Sequence, residues 1–326
     1  DYREETLSDE EFVNEAEEVL NILKEEFPEF IFSNKIYLTE METSLVNDMG
    51  LDLVHKDRFV MADLIIKEKS SVNVFDAYSY YGDRVYNRDK LLEVVRQILT
   101  AYKNPVELPY EGKMPVVFVE KDIMPLSKII GELNGYKVGT GASLFKDYIG
   151  EKKFNDSFTL YQSTQKEDLT SFEFFDAEGV VNKDFKYTLI EKGKIVAPYT
   201  DKKTSHKFNL PLTGSASCEY DTVPTLAPRN FKVEPSDKTL RELLNRQMAV
   251  VVVIASGGDF TEEGVFGTPV QLAFLTDGER LIGKLPEISL SGELYSMFGE
   301  DYIGKSKDEP FFGQKFLALN LDVKYL

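Results

Sequence analysis

The sequence predicts an α+β protein in which a small α/β N-terminal domain, residues 1–110, precedes a larger, mostly antiparallel and sheet-rich domain, residues 111–326. Three observations lead to this prediction. Residues 7–27 and 88–102 place apolar side chains at helical spacing. After residue 111 most apolar segments are short and bounded by glycine-containing turns, which is typical of antiparallel strands. The length of 326 residues is also about twice that of a common single domain.

The N-terminal part is predicted to contain a helix, a group of strands and a second helix. Ser8 is suited to cap the first helix, because its hydroxyl can accept a hydrogen bond from a first-turn N–H. Residues 31–74 have a strand-like pattern, with one strand starting at Lys35, a turn near residues 47–50 and a returning strand at 59–66. The second helix ends before Asn104-Pro105, since the position before a proline disfavours helix.

The second domain is predicted to begin between residues 109 and 115. Its predicted elements are a buried strand at 115–119, a helix at 125–133, a glycine-rich loop at 135–141, the start of a helix at 143–149, and one late helix at 238–246 among strands and turns. Lys192-Gly193 and Asp277-Gly278 predict hairpin turns. Asp176 and Gly179 predict a turn in which the acid caps its own backbone and the glycine takes a positive φ.

Composition narrows the functional classes. The formal net charge is −18, and a surface this acidic repels phosphate backbones, which argues against direct binding of nucleic acid. No segment approaches the roughly 20 apolar residues that cross a bilayer, and no signal peptide is recognisable. The single cysteine, Cys218, cannot form an intramolecular disulfide. We therefore expect a soluble, cytoplasmic protein without a membrane partner, although the first residue is Asp1 and a preceding segment is possible in principle.

Several motifs in the second domain occur in a characteristic order. They are Phe175-Asp-Ala-Glu-Gly179, Thr188-Leu-Ile-Glu-Lys-Gly193, Leu212-Thr-Gly-Ser-Ala216, Arg229-Asn-Phe-Lys-Val-Glu-Pro235 and Ile288-Ser-Leu-Ser-Gly292. Their order and spacing over residues 110–320 resemble the TldD/PmbA family, which contains metallopeptidases and proteins described as modulators of DNA gyrase. The resemblance implies a TldD/PmbA-like fold, with residues 1–110 as the end of a longer family domain. Each motif alone also has an architectural interpretation as a turn.

The resemblance also indicates where a metal site would lie. Active family members carry His-Glu-x-x-x-His on a helix and a cysteine near the C-terminus. Aligned on Gly141-Ala-Ser-Leu-Phe145, the histidine positions fall on Gly131 and Tyr136, the general base on Glu132 and the cysteine near Glu309. Glycine offers no ligand, and a tyrosine with a pKa near 10 is a poor replacement for imidazole. We therefore expect no zinc or other cofactor, and Glu132 to be either structural or retained in a reduced role.

Other candidate residues are weaker. His55, placed at a strand end, and His206, placed in a loop, have no second ligand at i+4 or nearby cysteine, so they are interpreted as ordinary surface or core residues. Cys218 is interpreted as a small, partly buried side chain rather than a nucleophile. Residues 135–141 lack the Gly-Lys-Ser/Thr of a phosphate-binding loop.

The sequence leaves three functions open. The first is a metal-free, catalytically inactive family member that binds a peptide or unfolded protein segment, or acts as the partner subunit of a homodimer or of a heterodimer with a related chain. The second is an active metallopeptidase with a rebuilt site from Glu132, Glu309 and a histidine, although such an oxygen-rich set suits magnesium, calcium or manganese better than zinc. The third is a regulatory protein–protein interaction module, with gyrase among the partners that the resemblance implies.

Overall fold

The computed structural model describes residues 1–4, 7–33, 36–168 and 172–326. Its mixture of helices and a larger share of strands confirms the predicted α+β class. The N-terminal part contains α1 (Asp9–Glu26), β1 (Phe30–Phe32), β2 (Ile36–Val46), β3 (Asp52–Glu68), β4 (Ala77–Asp83) and α2 (Arg88–Tyr102). Lys35, where the first long strand was predicted to start, lies outside the described residues.

The remaining chain is richer in strands. Its elements are β5 (Gly112–Val119), α3 (Ser127–Glu132), α4 (Gly135–Gly139), β6 (Leu160–Ser163), β7 (Lys186–Glu191), β8 (Lys194–Ile195), α5 (Lys202–Phe208), β9 (Ala216–Ser217), β10 (Thr225–Leu226), β11 (Phe231–Val233), α6 (Leu240–Leu243), β12 (Ala249–Ala255), β13 (Asp259–Phe260), β14 (Val265–Thr276), β15 (Leu281–Lys284), β16 (Ile288–Glu293), α7 (Leu294–Met297), β17 (Tyr302–Lys305) and β18 (Phe316–Tyr325). Short 3₁₀ turns lie at Met124–Leu126, Lys166–Asp168 and Lys183–Phe185.

Both N-terminal helices form where their sequence patterns predict. Ser8 and Glu11 make a reciprocal capping box at the start of α1, and Asn87 caps α2. Each helix buries one apolar face, which includes Leu23 in α1 and Leu99 in α2. Strand β3 is the centre of the adjoining sheet, since β1, β2 and β4 all pair with it in antiparallel register.

The large sheet closes on itself. Its strands follow the order β12-β5-β18-β16-β14, and β14 pairs again with β12. All of these pairings are antiparallel except that of β12 with β5. The alternation of side chains divides β5 between two cores: Val116 and Phe118 face one, whereas Val117 faces the other. The second core also contains Leu23 and Leu99, so α1 and α2 cover one face of this sheet. The predicted division at residues 110/111 stays a prediction.

The predicted turns are present. Asp176 Oδ1 accepts hydrogen bonds from the N–H groups of Glu178 and Val180, each at 2.9 Å, and Gly179 has a φ of +75°. The Lys192-Gly193 turn joins β7 to β8, and the Asp277-Gly278 turn joins β14 to β15.

Several short elements differ from the prediction. The expected loop at 135–141 begins with α4, because the Asn134 side chain accepts hydrogen bonds from the N–H groups of Tyr136 and Lys137 and so caps a helical turn. Residues 143–149 form turns rather than a helix. The helix predicted at 238–246 is shortened to α6, and Asn245 and Arg246 beyond it have positive φ values of 49° and 61°. Helices α5 and α7 were not predicted.

Among the helices in the described parts of the chain, none is both long and apolar enough to cross a membrane.

Candidate functional site

Glu132, the residue predicted to align with the family's general base, lies at the end of α3 and is only 1% exposed. Its carboxylate accepts a hydrogen bond from Lys137 Nζ at 2.5 Å and lies 3.0 Å from Lys128 Nζ, one helical turn away. Its second oxygen accepts the Leu144 N–H at 2.7 Å. The side chain is therefore surrounded by donors that hold it in place.

These donors keep the carboxylate charged. Burial by itself would raise the pKa of Glu132, but the hydrogen bonds from Lys137 and from the Leu144 N–H, together with Lys128, lower it below its ordinary value. A general base at neutral pH works best with a pKa near 7 and with access to a water molecule. The surroundings of Glu132 favour neither condition, and its role stays a prediction.

The residues predicted to align with the family's metal ligands do not fit zinc. Gly131 has no side chain, and a Cβ placed there meets nothing within 4 Å. Tyr136 is half exposed and packs its ring against Phe208, with centroids 5.6 Å apart. Glu309 lies elsewhere, 3.7 Å from Lys90 Nζ. In the described part of the chain no group of three or more histidine, cysteine, aspartate and glutamate side chains is placed to hold a metal ion.

The other sequence candidates lie on other elements of the chain. His55 is inside β3 rather than at a strand end, is fully buried, and packs edge-on against Tyr2 with ring centroids 4.9 Å apart. His206 lies in the last turn of α5 and not in a loop. Cys218 is exposed, which corrects the expectation of a partly buried side chain.

A cavity of about 380 Å³ lies where the N-terminal sheet meets segments that follow β5; we call it the inner cavity. Its apolar wall comes from both parts of the chain and includes Phe59, Met61, Ile123, Ile130 and Phe231. Its polar lining includes Glu120, Lys121 and Lys232. Ile130 belongs to α3, so the helix that carries Glu132 contributes to this wall through a different face.

The Glu120 carboxylate in the lining of the inner cavity is contacted by two buried lysines, of which Lys232 also lines the cavity. Lys305 Nζ, 2% exposed as a residue, donates to Glu120 Oε1 at 2.6 Å and to the Val233 carbonyl at 2.8 Å. The buried Lys232 Nζ lies 3.4 Å from the same Glu120 oxygen. Burial alone would raise the pKa of Glu120, but Lys305 and Lys232 hold it below its ordinary value. Glu120 therefore stays anionic and is shared between two ammonium groups.

Lys121 is placed differently. Its ammonium lies 3.5 Å from the centroid of the Tyr80 ring, and it has no ion pair within the described residues. Its side chain reaches solvent at the cavity mouth, yet protein surrounds it on several sides. This desolvation, with repulsion from Lys232, lowers the pKa of Lys121 to about 8.

A second cavity of about 210 Å³, the outer cavity, shares Tyr80, Glu120, Lys121 and Lys232 with the first. Its additional acidic residues are Asp83, Glu167, Asp168 and Glu309, and its additional basic residues are Lys90 and Lys315. The charged lining residues of the outer cavity therefore have an excess of acids, whereas lysines exceed acids in the inner cavity. Glu309 is the one sequence candidate that lines either cavity.

Sequence reasoning missed this pair of cavities. The available signal was Glu120-Lys121, two charged residues directly after the buried strand β5. Lys232 gave a second signal, since it is a charged residue inside the short strand β11 that is buried at every position. Neither signal indicates that the two segments lie together.

A family model described as the PmbA/TldA metallopeptidase C-terminal domain matches residues 111–316. A protein named metalloprotease from Methanocaldococcus jannaschii is 28% identical over 166 residues, which are 50% of this chain and 36% of that protein. An uncharacterised protein from the same organism is 22% identical over 262 residues, 78% of this chain and 60% of that protein. The chain thus spans less than two thirds of the length of these curated relatives.

Solved structures share the fold. TldE from Thermococcus kodakarensis superimposes with a TM-score of 0.76 and 17% identity, over 97% of this chain and 74% of that one. A protein from Thermotoga maritima titled "putative modulator of a DNA gyrase" gives a TM-score of 0.74 and 19% identity, over 98% of this chain and 75% of that one.

Proposed function

This chain belongs to the PmbA/TldA metallopeptidase family. We propose that it is a metal-free member of the family, a subunit that binds peptide segments without hydrolysing them. The carrying observation is the state of Glu132. The one retained residue of the family's catalytic motif is buried and held by Lys128 and Lys137, and the flanking Gly131 and Tyr136 offer no imidazole. Without a metal to acidify a water molecule, a lone carboxylate is a weak hydrolytic catalyst.

The inner and outer cavities support the binding role. Pockets that take small ligands or peptide ends are commonly about 300–1,000 Å³, mostly apolar and supplied with a few polar groups. The inner cavity meets this description, with its apolar wall and with Lys121 and Lys232 at one end. Its wall joins residues of the N-terminal sheet to residues of the second domain, so binding there depends on both parts of the chain.

We propose that the functional form is a homodimer or a heterodimer with a related family member, as the family resemblance implies, and that it works in the cytoplasm. In such a pair this chain would present a peptide while the related chain supplies any metal. Size-exclusion chromatography with light scattering, on this chain alone and with a co-expressed relative, measures the oligomeric state. A strictly monomeric chain in both preparations would contradict it.

The decisive experiment uses protein purified without chelator or affinity metal. Bound transition metals are measured by plasma mass spectrometry, and cleavage of an unstructured peptide library is measured on the same sample. We expect metal far below one ion per chain, retention of some peptides and no cleavage. Stoichiometric metal with cleavage that Glu132→Gln abolishes, and that the exposed control Glu262→Gln leaves intact, would establish a rebuilt peptidase site instead.

A further inference from the structure

The charged groups of the inner cavity indicate which part of a peptide it would bind. Among the described residues of its lining, Glu120 is the one acid, and two lysines, Lys121 and Lys232, line it as well. A third lysine, Lys305, already takes the nearest Glu120 oxygen at 2.6 Å. Lys232 shares that same oxygen at 3.4 Å, and Lys121 contacts the Tyr80 ring instead of an acid. Three ammonium groups therefore lie in or beside the cavity, and Glu120 supplies a single carboxylate for them.

We propose, building on the proposed peptide-binding function, that the inner cavity binds the free C-terminal carboxylate of a peptide whose last side chain is apolar. The ammonium groups of Lys121 and Lys232 would receive the carboxylate, because charge-assisted hydrogen bonds are the strong ones in a partly desolvated site. The wall of Phe59, Met61 and Phe231 would cover the last side chain. A C-terminal residue with a charged carboxylate and an apolar side chain matches both the lysines and the apolar wall. A neutral or cationic end of a peptide matches at most the apolar wall.

The outer cavity sets the direction of the peptide. Its lining adds the acids Asp83, Glu167, Asp168 and Glu309 but only the lysines Lys90 and Lys315 among the described residues, and this excess of acids disfavours a carboxylate there. The Asp168 Oδ2 atom is buried and has no hydrogen-bond partner among the described residues. Residues that precede the C-terminus would leave through this cavity, where a lysine or arginine side chain is favoured.

The test measures fluorescence anisotropy of an octapeptide that carries fluorescein on its N-terminus, lysine at the third-last position and phenylalanine at the end. The same peptide with a C-terminal amide is the matched ligand. We expect the amide to bind roughly tenfold more weakly or worse, since the loss of a charged hydrogen bond costs about 1.5–3 kcal/mol. The same titration at pH 7 and pH 9 should show weaker binding of the acid at pH 9.

That pH dependence follows from Lys121, whose pKa is near 8 in the free protein. Below this pH the ammonium is charged and can bind the carboxylate; above it the charge is lost. The charged groups that act on it are Glu120 on its own segment, Lys232 from β11, and Asp63 and Asp83 from β3 and β4. Lys305 and Lys232 hold the pKa of Glu120 below its ordinary value, so the charge of this carboxylate does not change between pH 7 and 9.

Two variants and one control assign the effect to the cavity. Lys121→Gln removes a solvent-accessible ammonium and should weaken the acid about tenfold while leaving the amide within a factor of two. Ile123→Glu places a carboxylate at an exposed wall position; it should weaken both peptides, and the acid more than the amide. Lys203→Gln, an exposed lysine on α5 outside both cavities, should change neither. Circular dichroism confirms that each variant is folded.

The outcomes separate this inference from the function beneath it. Equal binding of acid and amide, insensitive to Lys121→Gln, would overturn carboxylate recognition and leave peptide binding intact. A third outcome is that neither peptide binds, whereas N-acetylphenylalanine or octanoate binds and is weakened by Lys121→Gln. This result would assign the cavity to small carboxylic acids with an apolar group and would overturn the proposal that its ligand is a peptide. No binding of any probe would overturn both proposals.

Discussion

Glu132→Gln tests whether the buried acid predicted to align with the family's general base stabilises the fold. The substitution keeps the size of the side chain but removes the charge that Lys128 and Lys137 contact. Removal of one partner from a buried ion pair costs about 3–5 kcal/mol. The Lys137 side chain is 38% exposed and can turn towards water, whereas that of Lys128 is 14% exposed. We therefore expect a loss of about 2–3 kcal/mol in the free energy of unfolding.

The expected thermal shift follows from chain length. An unfolding entropy of about 2.1 cal/mol/K per residue amounts to roughly 0.7 kcal/mol/K for 326 residues. The predicted loss then lowers Tm by about 3–4 °C at pH 7, measured by differential scanning calorimetry. Because the pKa of Glu132 is lowered in the folded protein, its contribution is present above the ordinary value of 4.5 and is lost as the pH falls through the folded pKa. The difference between the two proteins should shrink below pH 4.5.

A matched control separates burial from charge. Glu262→Gln removes the same charge from an exposed residue and should change stability by less than about 0.5 kcal/mol. A second variant, Glu132→Gln with Lys137→Gln, should recover part of the loss, because one unpaired ammonium is removed. An unchanged Tm for Glu132→Gln at pH 7 would refute this reasoning and would favour a carboxylate available for chemistry.

Three further substitutions probe other parts of the chain. His55→Leu should flatten the fall of Tm between pH 6.5 and pH 5, because burial lowers the pKa of His55 in the fold and the unfolded chain then binds the extra proton; parallel profiles in scanning fluorimetry would contradict this. Gly193→Ala should cost about 3 kcal/mol or more in urea denaturation, since φ is +76° and the new Cβ would lie 2.2 Å from the Phe154 carbonyl oxygen. Gly131→Ala should instead raise stability by about 0.5–1 kcal/mol, because this helical position has open space for a methyl group; a loss there would show that α3 does not form as described.

The agreement between sequence and structure is best where interactions are local. Ser8 with Glu11, Asp176 with the N–H of Val180, and the Lys192-Gly193 turn involve residues at most four positions apart. The short helices were the poorest prediction. Helices of four to seven residues, such as α5 and α6, carry too few periodic positions to stand out in the sequence, although both have local N-caps, Asp201 for α5 and the Thr239–Glu242 capping box for α6.

By itself the sequence determined the α+β class, both N-terminal helices, the family, and the lack of imidazole at positions 131 and 136. The tertiary structure alone decided which charges meet. Lys305 reaches Glu120 across 185 positions, because β17 and β5 both pair with β18. Lys232 arrives from β11, a strand of a different sheet. The local sequence pattern shows which face of an element is apolar. The partners of a buried charge depend on strand pairings between distant segments, and no short window of sequence contains both segments.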